Sequence, residues 1–230
     1  MIESLYKAAK EKGCLTLLGM SGVGKTWAGL QLAEMGADIY SVDYEIGTKF
    51  LAEHMPQELR EKMSVTDISW LQRFLGMPGD HARGGVALAQ FKERQRLYIE
   101  AEISAMQEAI ELAKKRHSDA PPFIIDAAGS LCEIEDQELL RDLANVSEVV
   151  YLKPNAEAEA LLLSRALSAP KPLYYPPALL DALAESYCQE NGIVSIELAD
   201  PKAFFLYAFP QLFKSRLPKY EAMAGSVIEL

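Results

Sequence analysis

Short apolar runs alternate with helically spaced segments along this chain. "CLTLLG" (14–19) is a compact apolar run closed by glycine, which predicts a buried strand. "KTWAGLQLAEMG" (25–36) sets its apolar residues at helical spacing and stops on glycine. "ADIYSVD" (37–43) predicts a second strand. "PFIIDAAG" (122–129), entered through two prolines, predicts a third, and "SEVVYLKP" (147–154) a fourth. Helical patterns occupy 88–116, 135–145, 155–168 and 178–190, and "MIESLYKAAKEKG" reads as an amphipathic N-terminal helix. Apolar strands alternating with helices imply a parallel sheet covered on both faces.

Two stretches break the alternation. Residues 53–86 contain the Gly-rich "GMPGDHARGG", and 166–177, "ALSAPKPLYYPP", are rich in proline. Long irregular segments inside an α/β domain are often functional lids, with structural linkers as the alternative. The pattern of 190–200, "ENGIVSIELAD", leaves an extra strand open.

Composition narrows the classes. A length of 230 residues, half of them hydrophobic, suits a single domain over 1–230. A net charge of −10 without a basic stripe argues against nucleic acid as partner. The basic run "KKRH" (114–117) reads as the charged end of a helix. The three cysteines, Cys14, Cys132 and Cys188, form neither a disulfide framework nor a zinc motif, which fits a reducing cytoplasm. No apolar run reaches the ~20 residues that span a bilayer, so no membrane partner is expected.

The candidate chemistry starts at Gly19-Met20-Ser21-Gly22-Val23-Gly24-Lys25-Thr26, which matches G-x-x-x-x-G-K-S/T between a strand and a helix. Glycines let backbone N–H groups wrap phosphate oxygens, and the helix N-terminus adds its positive end. Lys25 reaches the outer phosphates, and Thr26 offers a hydroxyl to Mg²⁺. Asp43 and Asp126 end predicted strands, where ligands bind in open α/β sheets. Asp43 suits orientation or deprotonation of a substrate hydroxyl, and Asp126 suits Mg²⁺; helix capping is the alternative for both. Arg83, Arg165, Lys171 and Arg216 are candidate anion clamps, with surface ion pairing as the alternative. Glu133 and Glu135 read as surface carboxylates, and Trp27 and Trp70 as packing residues. His54, His81 and His117 show no metal-ligand spacing.

In order along the chain, these residues resemble the shikimate kinases. "GMSGVGKTWAGLQLA" resembles their phosphate loop and first helix. "IYSVDYEIG" resembles their D-x-D-x-x-I strand end, and "FIIDAAGS" stands at their triple-glycine strand end. "EVVYLKPNAEAEALLLSRALSAPKPLYY" is similar to their fourth strand, next helix and lid. "SRLPKYEAMAGSVIEL" is similar to their late R-x-P-L-Y segment and final strand. The match is poor over 53–121 and 190–210. The resemblance implies a three-layer P-loop NTPase fold with a central parallel five-stranded sheet, a substrate-binding insertion at 53–86 and a lid at 166–177.

By position it implies that Gly19, Ser21, Gly22, Val23, Gly24, Lys25 and Thr26 bind ATP phosphates and Mg²⁺. Asp43 matches the base that contacts the acceptor hydroxyl. Gly129 matches a glycine that packs against substrate, and Arg165 stands where an arginine stacks on adenine. Lys171 stands where a lid arginine covers the transferring phosphate. Arg216, and Arg83 with a spacing one residue off, stand where arginines hold the substrate carboxylate. The chain departs at Ser41, in place of the first aspartate, at Ala127 and Ala128, in place of two glycines, and at Lys171. These departures imply an altered pocket wall, with Asp126 taking the Mg²⁺ role lost at Ser41.

The expected function is ATP- and Mg²⁺-dependent phosphoryl transfer to a hydroxyl of a small, anionic metabolite. An ATP-binding or hydrolysing regulatory protein that docks a protein partner is the alternative, and a nucleotide or nucleoside kinase the third.

Overall fold

The computed structural model describes residues 1–230, all but the side chain of Leu59. The elements run α1 (Ile2–Lys12), β1 (Cys14–Leu18), α2 (Lys25–Glu34), β2 (Asp38–Ser41) and α3 (Val42–Glu45). They continue with α4 (Gln57–Arg60), α5 (Ser69–Leu75), α6 (Leu88–Lys114), β3 (Phe123–Asp126), α7 (Gln137–Val146) and β4 (Glu148–Lys153). The last are α8 (Ala156–Ser168), α9 (Pro177–Asn191), α10 (Pro201–Met223) and β5 (Ser226–Glu229). The strands pair in parallel in the order β2-β3-β1-β4-β5.

Strand β1 lies at the centre and is buried along its whole length. Its apolar composition follows, because both edges are paired and both faces covered. Side chains alternate between the faces. Leu15, Leu17, Ile124, Val150 and Leu152 meet α1 and α2 through Leu5, Ala9, Ala28 and Leu32. Phe123, Ile125, Val149 and Tyr151 enter the larger core on the other face, with Ala105, Ala109 and Leu143. Thr16 is the polar exception in β1, and its hydroxyl bonds Ser147 Oγ at 2.6 Å. The result is a three-layer architecture, a five-stranded parallel sheet with helices on both faces.

Several predicted boundaries shift. Strand β2 stops at Ser41, so Asp43 lies in the first turn of α3 rather than on the strand. Segment 53–86 is not wholly irregular, since α4, α5 and a 3₁₀ turn at His81–Arg83 lie in it. Residues 190–200 add no strand; they carry the end of α9 and a 3₁₀ turn at Ile196–Leu198. No periodic pattern predicts helix α10, because Pro201, Pro210 and Pro218 punctuate it. Pro201 stands at the first turn, where its missing N–H costs nothing, and Asp200 caps the N–H groups of Lys202 and Ala203. Burial of Phe204, Phe205, Phe209, Leu212 and Phe213 then overrides the two interior prolines.

Two substitutions measure these contributions. Asp136 caps α7 by accepting from the N–H groups of Glu138 and Leu139, so Asp136→Ala lowers stability by about 1 kcal/mol. Leu17 is fully buried in β1, and Leu17→Ala lowers it by about 2–5 kcal/mol. Urea unfolding should show both as shifted midpoints with unchanged slopes.

Candidate functional site

The carboxyl ends of β1, β2 and β3 converge on the loop that follows β1. Gly19, Gly22 and Gly24 take φ values of +146°, +86° and +106°, a region that penalises any side chain. Gly24 is the N-cap of α2, with no side chain capping the helix start, so the loop ends on a helix N-terminus with free N–H groups. Lys25 is buried, and its Nζ donates to the carbonyls of Gly19 at 2.7 Å and Met20 at 3.2 Å. Burial lowers the Lys25 pKa, and the charges of Asp126 and Asp43 oppose that shift. A glycine-rich turn at a helix N-terminus beside a buried ammonium has the chemistry of an anion cradle.

Ser41 and Asp126 are register partners at the ends of β2 and β3, and Leu17 of β1 lies across from Asp126. Asp126 is buried, which raises its pKa; Lys25 and the neighbouring Thr26 hydroxyl pull the other way. A hydroxyl and a carboxylate side by side suit Mg²⁺, which keeps waters and phosphate oxygens as its remaining ligands. Among the described residues, no group of three or more His, Cys, Asp or Glu could hold a metal ion.

A narrow cavity of about 40 Å³ lies beside the loop. Asp43, Tyr98, Gly129, Ser130 and Arg216 give it a polar floor, and Ile68, Leu71, Leu75 and Leu173 form an apolar wall. A Cβ on Gly129 would lie 3.1 Å from Ser21 N, so any side chain there would press the phosphate loop outward by a few tenths of an ångström. Tyr98 donates to Asp43 Oδ1 at 3.3 Å. Burial pushes the Asp43 carboxyl up to about 6, although Lys25 draws it down.

Arg216 is 1% exposed; its Nε donates to Glu133 Oε1 at 3.0 Å and its Nη2 to the Tyr174 carbonyl at 2.8 Å. Glu133 also pairs with Lys219. Glu133 is therefore no surface carboxylate, as its sequence context suggested, but the buried counter-ion of Arg216. The 173–175 backbone is also held by Gln95, which donates to the Leu173 carbonyl at 3.2 Å and accepts from Tyr175 N at 2.7 Å.

A second cavity of about 290 Å³ opens on the other side of the loop. Ser21, Gly22, Leu162, Arg165, Lys171 and Phe209 are among the residues that line it. Arg165 and Lys171 thus stand together beside the loop, away from Asp43. Arg83 is not brought to either cavity. It lies on the surface, 58% exposed, with Asp80 at 3.6 Å and Asp200 at 3.7 Å, because the turn at His81–Arg83 docks against the start of α10. Trp27 is 55% exposed and is not a packing residue.

Sequence reasoning missed Tyr98, Glu102, Ser130 and the role of Glu133. A signal existed for the helical ones. Gln95, Tyr98 and Glu102 fall on the stripe of α6 that carries Phe91, Ala105 and Ala109, so polar groups interrupt an apolar face.

No protein-family model matches the chain, and no curated protein sequence matches it. Among solved structures, a shikimate kinase from Bacteroides thetaiotaomicron is similar over 94% of this chain and 85% of that one, at 15% identity and a TM-score of 0.49. At that level the likeness carries no argument, and the fold assignment rests on the strand order and the phosphate loop.

Proposed function

We propose that this protein transfers the outer phosphoryl group of ATP to the hydroxyl of a small metabolite. The observation that carries the reading is the meeting of Lys25 and Asp43 at one point: an anion cradle opens directly onto a cavity with a carboxylate at its floor. ATP would lie with its phosphates on residues 19–26 and its base toward Arg165 in the larger cavity. Mg²⁺, held by Thr26 and Asp126, would neutralise charge on the phosphates. The 53–86 insertion supplies Ile68, Leu71 and Leu75 to the acceptor side, and the 166–177 segment acts as the lid through Pro172, Leu173 and Tyr174.

Asp43 would orient the acceptor hydroxyl and take its proton. Its raised pKa keeps it close to neutrality in basicity, which suits a general base. Lys25, with Lys171 at the lid, would stabilise charge spreading over the transferring group; positioning and electrostatics do most of the work in such reactions. Arg216, anchored by Glu133, would offer its remaining N–H groups to an anionic or hydroxylated end of the acceptor. The apolar wall favours an acceptor with one hydrocarbon flank. Exclusion of water by the lid would favour transfer over hydrolysis.

The small volume of the acceptor cavity, about 40 Å³, favours a second reading: ATP hydrolysis coupled to a protein partner, since that space suits a few waters. ADP release measured with ATP, Mg²⁺ and pools of hydroxylated metabolites separates the two. Strong stimulation by one compound supports the kinase. Slow turnover, insensitive to every metabolite and changed by a protein, supports the second.

Asp43→Asn should lower stimulated turnover by roughly 10²–10⁴-fold while nucleotide binding, followed by calorimetry, persists. The wild-type rate should rise with pH through about 6, because Asp43 is active only when ionised and burial has moved its titration there. A flat profile between about pH 5 and about pH 7 would remove Asp43 as the base. Asp126→Asn should raise the Mg²⁺ concentration giving half-maximal turnover by about 10–100-fold, measured by Mg²⁺ titration at constant ATP.

A further inference from the structure

Behind Asp43 stands a line of four groups. Tyr98 Oη reaches Asp43 Oδ1 at 3.3 Å, Ser130 Oγ lies 3.3 Å from Tyr98 Oη, and Ser130 Oγ is in close contact with Glu102 Oε2. Ser130 follows Gly129 at the exit of β3, and Tyr98 and Glu102 stand one turn apart on α6. Glu102 is fully buried, and its Oε1 has no partner.

Hydrogen counting decides how this line works. Three contacts need three hydrogens, and the two hydroxyls supply two. The third must sit on one of the two carboxyls. With the proton on Glu102, Glu102 donates to Ser130, Ser130 to Tyr98 and Tyr98 to an ionised Asp43. With the proton on Asp43, every donor turns round and the line ends on an ionised Glu102. The two arrangements hold the same atoms and the same number of protons, and three short proton shifts convert one into the other.

The surroundings choose between them. Facing Asp43 are Lys25 from α2, Asp126 from β3 and Tyr98 from α6. Facing Glu102 are Asp43, Tyr98, Tyr174 and Cys132, with the cations Arg216 and Lys25 nearby but bonded elsewhere. An ionised Glu102 would leave a charged oxygen bare of both solvent and partner, which is far more costly than a bare carbonyl oxygen. An ionised Asp43 keeps the ammonium of Lys25 and the Tyr98 hydroxyl.

We propose that Glu102 is a positioning residue that holds, through Ser130 and Tyr98, the single proton it shares with Asp43, and so keeps Asp43 ionised to receive the acceptor's proton. Burial agrees, pushing Glu102 up to about 8 and Asp43 only to about 6. The link to phosphoryl transfer rests on the kinase reading; the sharing of the proton does not.

Carboxyl ¹³C NMR of the full chain, labelled at Glu δ and Asp γ carbons, tests it without any substrate. One glutamate carbon should remain in its protonated position at pH 7, the neutral reference, and vanish in Glu102→Gln. Asp43→Asn, which ends the line on a neutral amide, should lower that carbon's midpoint by about one pH unit. In a Ser130→Ala background the same substitution should move it much less, because the line is cut while every charge stays in place. Should Glu102→Gln fail to fold, the wild-type signal and its response to Asp43→Asn still decide. No protonated glutamate carbon at neutral pH overturns the proposal. An equal shift with and without Ser130 overturns it too, since that leaves only repulsion through space. Absent turnover beside an intact Glu102 signal would sink the kinase reading alone.

Discussion

The buried ammonium of Lys25 is the interaction on which the rest of the site depends. A lone buried charge is untenable, so the chain surrounds it with partners of opposite sign and with carbonyl oxygens. The carbonyls of Gly19 and Met20 take two of its hydrogens, and this closes the phosphate loop on itself. Asp126, at the end of β3, and Asp43, in the first turn of α3, supply the charge balance. Three segments far apart in sequence are thereby held at one point, and it is the point where the parallel register brings β1, β2 and β3 to a common edge.

A second buried cation, Arg216, works by the same rule at the opposite wall. Glu133 neutralises it, and the Tyr174 carbonyl takes another of its hydrogens. The guanidinium thus ties α10 to the turn after β3 and to the segment before α9. Gln95 repeats that tie from α6. The proline-rich stretch is consequently docked by polar bonds to its backbone, a mode of attachment that leaves its apolar side chains free to wall the cavity. The docking of the segment and the shape of the cavity are two consequences of one set of contacts.

Between those cations lies an excess of carboxyl groups: Asp43, Asp126, Glu102 and Glu133. They differ in what surrounds them. Glu133 holds two cations and Asp126 lies beside Lys25, while the one hydrogen-bond partner of Glu102 is the Ser130 hydroxyl. Environment, and not residue type, separates a charged counter-ion from a proton store. The chain's acidity therefore has a local meaning at this edge beyond its overall charge.

Much of the architecture was legible in the residues. Apolar runs at 14–19 and 147–154 announced buried parallel strands, since only strands covered on both faces read that way, and Gly19 to Thr26 announced a glycine-rich turn into a helix, since the glycines carry their conformation with them. Asp43, Gly129 and Arg216 did come together at one cavity. Arg83 did not, because Asp80 and Asp200 hold it at the surface. Helix α10 was hidden because local breakers outweighed a burial that no local pattern displays. Tyr98, Ser130 and Glu102 lie 28 or more residues from one another or in the middle of a long helix, and their bonds carry no sequence spacing at all. The sequence by itself determined the local conformations and the glycine-rich turn after β1, because those follow from backbone preference and periodicity. Only the tertiary structure decided which charges lie buried and which partner each one meets, because burial and pairing are set by segments that the chain brings together from far apart.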